Sequence, residues 1–141
     1  MLPAGHTMDL ERLYRCITQL NQVMNRGVDL SVLLETIVRE TAILLGADTT
    51  SVLLLDQHRQ RLLVSASHGL SQNERTQIQF SPGDGVAGWV VAQGAPALIP
   101  DTDQDPRFAA FLSQRRPMRS MVAVPLLIRG AAIGVICAIH P

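Results

Sequence analysis

The sequence predicts an α+β domain built on an antiparallel sheet, and three observations lead to this fold class. Two amphipathic helical patterns occupy the first third of the chain, and strand patterns then follow in pairs joined by short polar links. Strands and long helices do not alternate, as they would in a parallel βαβ repeat. The chain has 141 residues, of which 47% are apolar, and this suits one ordinary folded core.

The first helical pattern runs from about Met8 to Asn25, with Thr7 as its N-cap and Gly27 as its stop. Its apolar residues alternate at spacings of three and four and form a narrow seam over two heptads: Leu10, Leu13, Ile17, Leu20 and Met24. Two interpretations stay open: an amphipathic helix that lies on the domain, or a helix that forms the seam of a homodimer or the end of a signalling coiled coil. We treat residues 1–27 as a helical unit beside a domain of residues 28–141.

The second helical pattern runs from Leu30 to Leu45, between Asp29 as a predicted N-cap and Gly46 as a predicted stop. Apolar side chains cover a wider part of this helix than of the first. We therefore expect it to pack on a sheet rather than on a single partner helix.

Six strand patterns follow, and the first two and last two read as hairpins. Their ranges are Thr49–Asp56, Arg61–His68, Gln77–Phe80, Ala97–Ile99, Arg119–Ile128 and Ala131–Ile139. A short helix is predicted from Val86 to Gln93, between the third and fourth strands. Pro125 has no N–H to donate to a ladder, so it predicts a bulge or an edge position in its strand.

Composition excludes several classes of function. The net charge is zero, so no electrostatic signature of a nucleic-acid or membrane-surface partner is present. No apolar run is long enough to cross a bilayer, and residues 1–12 lack the pattern of a signal peptide. Cys16 and Cys137 lie far apart in apolar segments, and no CxxC or HExxH motif occurs, which argues against a zinc site. These features indicate a cytoplasmic protein with reduced thiols.

Residues 83–88, GDGVAG, match the dinucleotide-binding spacing GxGxxG. That mechanism needs a buried parallel strand before the loop, a long helix after it and a later carboxylate, near which Asp103 lies. Here the preceding strand is half polar, Pro82 interrupts the approach, and the helix is about two turns long. The motif therefore favours a glycine turn that leads into a short capped helix.

Asp101, Asp103 and Asp105 match the opening of a calcium loop, but the sixth and twelfth positions hold Pro106 and Leu112 instead of Gly and Glu. We expect these carboxylates to solvate a loop and to cap a helix that begins near Pro106. The histidines and serines form no pattern typical of acyl transfer, phosphoryl transfer or redox chemistry.

The second helix, the strands and the glycine-rich segment between about Asp29 and Ile139 follow one another in an order and spacing that resemble a GAF domain. The motifs that carry the resemblance are FSPGDGVAGWVVAQGAPALIPDTDQDPRF, from Phe80, and RSMVAVPL, from Arg119. The resemblance implies a PAS-related antiparallel sheet of five or six strands, with helices on one face and a cavity on the other. A roof of loops and a short helix, between Gly85 and Arg119, would close that cavity.

The resemblance also implies candidate contacts for an unknown small molecule: Trp89, Asp101, Asp103, Phe108, Phe111, Arg119 and Ser120. No cysteine occurs between Gly69 and Val135, which argues against a covalent bilin. The chain has no lysine and lacks the Asn-Lys signature of members that bind cyclic nucleotides. A non-covalent chromophore such as haem, held through His68 or His140, stays open, although neither residue lies in the roof.

Such domains usually end in a helix beside the first one, and here the last strand ends next to Pro141. We therefore expect a domain without its C-terminal helix, from a longer signalling protein. The resemblance implies a non-catalytic sensory module that binds a ligand, forms a homodimer, or both. It would act on an effector domain such as a histidine kinase, a diguanylate cyclase or a transcription activator. Two alternatives stay open: a free methionine sulfoxide reductase, which needs an exposed cysteine, and a ligand-free dimerisation module.

Overall fold

The computed structural model describes residues 10–25, 29–56, 58–107 and 120–140. The helices are α1 (Leu10–Asn25), α2 (Leu30–Leu45), α3 (Gln72–Gln77) and α4 (Gly85–Gln93). The strands are β1 (Thr49–Leu55), β2 (Leu62–His68), β3 (Gln79–Phe80), β4 (Ala97–Ile99), β5 (Ser120–Ile128) and β6 (Ala131–His140). A 3₁₀ turn spans Thr102–Gln104.

The six strands form one sheet in the order β3-β2-β1-β6-β5-β4, and every neighbouring pair is antiparallel. The predicted α+β class and strand number are therefore confirmed. The two predicted hairpins, β1–β2 and β5–β6, are joined by the pairing of β1 with β6 at the centre of the sheet.

The predicted irregularity at Pro125 is confirmed. β4 pairs with β5 only from Met121 to Ala123, so the following part of β5 is an edge on that side. Pro125 lies in this edge segment, and the register with β6 shifts immediately beyond it, between Leu126 and Leu127. A residue without an N–H is tolerated here because no neighbouring strand needs its donor.

The two faces of the sheet carry different layers. α2 packs on β1 and β2, where Leu34 and Val38 meet Val52 and Ala66. α4 packs on the opposite face, over β5 and β6. We call these the α2 face and the α4 face. The predicted arrangement, with the long helices on one face and the short helix over the other, is confirmed.

α1 lies against α2, and the connection between them is only four residues long, so the two helices form an antiparallel pair. Cys16 is a buried residue of α1. Burial, with a smaller contribution from the charge of Glu40, raises the pKa of its thiol. Leu10 is 79% exposed and Ile17 is 52% exposed, so part of the predicted seam faces away from the domain. The side chains of Leu20 and Met24 lie outside the described residues.

The sequence patterns predict no helix before β3 and begin a strand at Gln77, so helix α3 is a difference from the prediction. The structure places Gln77 in α3 and confines β3 to Gln79 and Phe80. Ser71 and Glu74 form a capping box: the Ser71 hydroxyl accepts from the Glu74 amide at 3.1 Å, and the Glu74 carboxylate accepts from the Ser71 amide at 3.0 Å. The Ser-x-x-Glu spacing was the available signal.

The predicted bounds of α2 are confirmed, and Gly46 ends it with a left-handed φ of 63°. Asp29 occupies the N-cap position, but the prediction that its side chain caps the helix is wrong. Its backbone carbonyl accepts from the Leu33 amide, and its carboxylate makes no capping hydrogen bond.

Candidate functional site

The GDGVAG motif builds the start of α4, and its backbone groups are used within the protein. The Gly83 amide donates to the Gly88 carbonyl at 2.8 Å, and the Asp84 amide donates to the Ser81 carbonyl at 2.9 Å. A Cβ at Gly88 would press on the Ser81 carbonyl oxygen, so the third glycine allows the loop to close on its own helix. The loop also follows β3, a short antiparallel edge strand. This context differs from a dinucleotide site, which needs free amides after a central parallel strand.

Trp89 lies on α4 at the border of the apolar core. Its neighbours Val86, Val90 and Val91 are buried against the α4 face of the sheet, while the indole itself is half-buried and packs on the rim of that core. α4 therefore fixes the position of the ring.

Asp101 and Asp103 are exposed on the loop after β4. The Asp101 carboxylate accepts from the Asp103 amide at 3.0 Å and caps the 3₁₀ turn, whose first residue, Thr102, is buried. The expectation that these aspartates cap local structure is met at Asp101, at a turn that begins earlier in the chain than the helix expected near Pro106. Within the described segments, no three His, Cys, Asp or Glu side chains gather as a metal site requires.

A second contact set lies at the end of this loop and was missed from sequence. Asp105 accepts three hydrogen bonds from Arg107: from the backbone amide at 2.8 Å, from Nε at 2.9 Å and from Nη2 at 2.7 Å. The Arg107 guanidinium carbon lies 4.4 Å from the centre of the Trp89 ring. These hydrogen bonds hold the pKa of the Asp105 carboxyl below its usual range and raise that of Arg107. In the sequence, the Asp-x-Arg spacing is only a weak signal of this contact, because it does not show that Arg107 lies beside α4.

Phe108, Phe111 and Arg119 lie outside the described residues, and their candidate roles stay predictions. Ser120 begins β5 on the α2 face, opposite Trp89, because strand residues alternate between faces and Met121 belongs to the α4-face core. The structure thus brings Trp89 and the 101–107 loop to one side of the sheet and places Ser120 on the other.

Ser120 lines an apolar trough of about 560 Å³ on the α2 face, at the end of the sheet that α2 leaves uncovered. Leu45, Leu98, Val122, Ala138 and His140 line it with Ser120. Leu98 is 77% exposed, so the trough is open to solvent.

A row of small side chains crosses the α4 face of the sheet. Its members pair in register from β4 through β5, β6 and β1 to β2: Ala97, Ala123, Cys137, Ser51 and Ser67. The row is buried under α4 at Ala97, Ala123 and Cys137, but Ser51 and Ser67 are partly exposed. The Ser67 hydroxyl oxygen itself is buried and has no hydrogen-bond partner among the described residues.

The two cysteines lie on opposite sides of the sheet. Complete burial on the α4 face raises the pKa of Cys137 to about 12. Cys16 lies on α1, which packs on α2, and its pKa is raised as well. A thiol acts as a nucleophile through its thiolate, so neither position is activated.

The fold and the site define the class of protein to which this chain belongs. It is an α+β domain whose antiparallel sheet carries a pair of helices on one face and a short, glycine-flanked helix over the other. The chain belongs to the GAF domain family, which it matches over residues 29–141. Across the described residues, no helix combines the length and apolar character that a bilayer crossing requires.

Similar proteins include regulators and an enzyme. The Nif-specific regulatory protein of Azospirillum lipoferum is 29% identical in a match of 134 residues that covers 92% of this chain and 21% of that protein. This chain therefore spans about a fifth of the regulator's length. The GAF domain of an Acinetobacter phosphoenolpyruvate-protein phosphotransferase has a TM-score of 0.77 and 25% identity, over 95% of this chain and 77% of that one. A free methionine-R-sulfoxide reductase from Neisseria meningitidis, solved with its substrate, has a TM-score of 0.78 and 25% identity over the same shares.

Proposed function

We propose that this GAF domain is the sensory module of a longer cytoplasmic regulatory protein and binds a small molecule on its α4 face. The similarity to a Nif-specific regulatory protein four to five times longer supports a role beside an effector domain. Of the three effector types that the family resemblance implies, the similarity to this regulator supports a transcription activator.

The observation that carries the proposal is the buried Ser67 hydroxyl at the β2 end of the small-residue row, which has no hydrogen-bond partner among the described residues. α4 packs mainly over β5 and β6, whereas Ser51 and Ser67 lie on β1 and β2 and are partly exposed. A buried hydroxyl without a partner is unfavourable unless a polar group reaches it, so Ser67 supplies a hydrogen bond for a ligand. Apolar surroundings with few polar groups are typical of small-molecule sites.

Residues outside the small-residue row would complete the ligand site. Trp89, Asp101 and Asp103 are on the same side of the sheet. Phe108, Phe111 and Arg119, which lie outside the described residues, stay predicted contacts. Ser120 would contribute only indirectly, since it lies on the α2 face.

Native mass spectrometry of freshly purified protein tests the proposal. We expect a bound small molecule on the wild type and its loss in Ser67→Val, which removes the hydroxyl and fills the space. Ser65→Val, at an exposed position of the same strand, is the matched control and should retain the ligand. A wild type that carries no small molecule, and whose melting temperature no metabolite mixture raises, would contradict ligand sensing.

Signal output is proposed to pass through α1 in a homodimer. A ligand shifts an equilibrium only if it binds two states with different affinity, and a helix pair at the α2 face can differ between states. Replacement of Leu13 and Leu20 by Ala should then weaken self-association measured by sedimentation equilibrium. An unchanged association constant would rule out the α1 seam as the dimer contact.

The fold similarity to a methionine-R-sulfoxide reductase supports an enzymatic alternative, which the thiol chemistry here does not favour. Reductase chemistry needs an accessible thiolate and a resolving partner. Cys137 is buried with a pKa of about 12, and Cys16 lies on the other side of the sheet. We expect slow alkylation of Cys137 and no turnover of free methionine-R-sulfoxide. Rapid alkylation with turnover would establish the reductase instead.

A further inference from the structure

We infer that Asp105, Arg107 and Trp89 form a latch that fastens the roof loop to α4, so that the loop has a fastened and a released state. The roof loop is the segment of residues 100–107, which leaves β4 at the edge of the sheet. The two states of the roof loop differ in its own contacts and do not depend on the identity of a ligand.

The loop is held at two places. Thr102 is 2% exposed and anchors its first turn, whereas the Asp101, Asp103 and Gln104 side chains are exposed. Five residues after Thr102, Arg107 returns to the protein and lies over the Trp89 ring at 4.4 Å. Because α4 is buried along Val86, Val90 and Val91, Trp89 is a fixed surface and the loop is the part that can move.

Arg107 is suited to a reversible contact. Its guanidinium is planar and stacks on the indole through a cation–π interaction. Nε and Nη2 are already held by Asp105 in a charge-assisted bidentate pair, which fixes the plane of the group. The Arg107 side chain is 29% exposed and that of Asp105 is 16% exposed, so water screens this pair less than an ordinary surface ion pair.

The roles of the two charged residues are different. Asp105 is two residues from Arg107, so their pairing alone does not tie the loop to another element. The stack on Trp89 makes that connection, and Asp105 is a positioning residue for it. The loss of Arg107 should therefore release the loop, while the loss of Asp105 should weaken the stack.

Trp89 is the only tryptophan in the chain, so all tryptophan emission comes from the ring that Arg107 covers. In Arg107→Gln we expect quenching of Trp89 by acrylamide to rise about twofold, because the ring loses its cover. We also expect hydrogen exchange in residues 102–107 to accelerate about tenfold, the effect of losing a cation–π contact of the stronger, partly shielded kind. Exchange in β1 and β6 should remain as in the wild type.

Three further variants keep the test specific. Arg107→Lys retains the charge without the planar stack and should be intermediate, and Asp105→Asn should show a smaller effect in the same direction. Arg15→Gln removes an exposed arginine from α1 and should match the wild type in both measurements. The latch is overturned if Arg107→Gln leaves both quenching and loop exchange unchanged. It is also overturned if exchange rises equally throughout the sheet, because that result indicates general destabilisation.

Discussion

The two faces of the sheet differ in how much apolar surface they bury. On the α4 face, Leu62, Val90 and Val135 are wholly buried in one continuous core that reaches from β2 to β4. On the α2 face, the buried cluster is confined to α2, β1 and β2. Beyond it, Leu98 and Val124 are exposed on β4 and β5.

This difference suggests that the α4 face stabilises the fold, whereas the α2 face is available for association with other proteins. Burial of apolar surface stabilises the fold in proportion to the area removed from water, so the α4 face supplies most of the folding free energy. Exposed apolar surface on the α2 face and on α1 is available for contact with other protein surfaces. The face that holds the proposed ligand site is thus also the face that keeps the domain folded.

The sharpest test of this contrast compares two adjacent leucines of β2. Leu62→Ala should lower the free energy of unfolding by about 2–5 kcal/mol, because Leu62 is fully buried in the α4-face core. Leu63→Ala should lower it by less than about 1 kcal/mol, because Leu63 is 39% exposed. Urea unfolding followed by Trp89 emission measures both, and equal losses would show that the faces do not differ.

A second test addresses how α4 is held on its face. Gly88→Ala should destabilise the domain by about 1–3 kcal/mol, because the added methyl group presses on the Ser81 carbonyl and forces the loop from the helix. Ala92→Ser, at an exposed position of the same helix, should change stability by less than about 0.5 kcal/mol. Thermal unfolding distinguishes them, and a neutral Gly88→Ala would mean that the loop yields without loss.

Acid should affect the α4 face through the roof loop. The hydrogen bonds from Arg107 lower the pKa of Asp105, so this carboxylate stabilises the folded state at neutral pH. A lowered folded-state pKa means that this contribution is lost as pH falls below the ordinary aspartate value of about 4 and through the folded value. Asp105→Asn should therefore show a flatter loss of stability below about pH 4. Asp103→Asn, exposed on the same loop, is the control, and identical acid limbs in the wild type and Asp105→Asn would contradict the assignment.

The smallest effect on folding is expected at Leu98 on the α2 face. Leu98→Gln should change the free energy of unfolding by less than about 0.5 kcal/mol, because the side chain is 77% exposed. Ile99→Gln, one position further, should be strongly destabilising, because it places an amide in the α4-face core. Urea unfolding compares the pair, and a large loss from Leu98→Gln would show that the trough also supports the fold.

Much of the fold could be predicted because local signals agreed with tertiary structure. The bounds of α2 and β4 follow from an apolar stripe that ends at Gly46 and from a short apolar run between turn residues. α3 could not be separated from a strand by periodicity, since it is six residues long and mostly polar. Its capping residues were the better signal.

The candidate site was harder to predict, because its parts come from distant segments. Trp89 stood out as the only tryptophan, but its contact with Arg107 depends on how the loop after β4 returns over α4. The small-residue row joins residues from five strands, and only the register reveals it. Ser120 shows the opposite case: the family resemblance implied a contact in the site, whereas strand alternation places Ser120 on the α2 face.

The strands at the margins of the sheet have a consequence for behaviour at high concentration. β3 has two residues and β4 has three, so these outer strands themselves offer few free backbone donors and acceptors to another chain. Within the described residues, the longer open edges are the parts of β2 and β5 that the outer strands leave unpaired. Long open margins are the usual templates for fibril growth, and very short ones limit it. In the open part of β5, Pro125 has no N–H to donate, so this edge offers an interrupted template to a second copy of the domain.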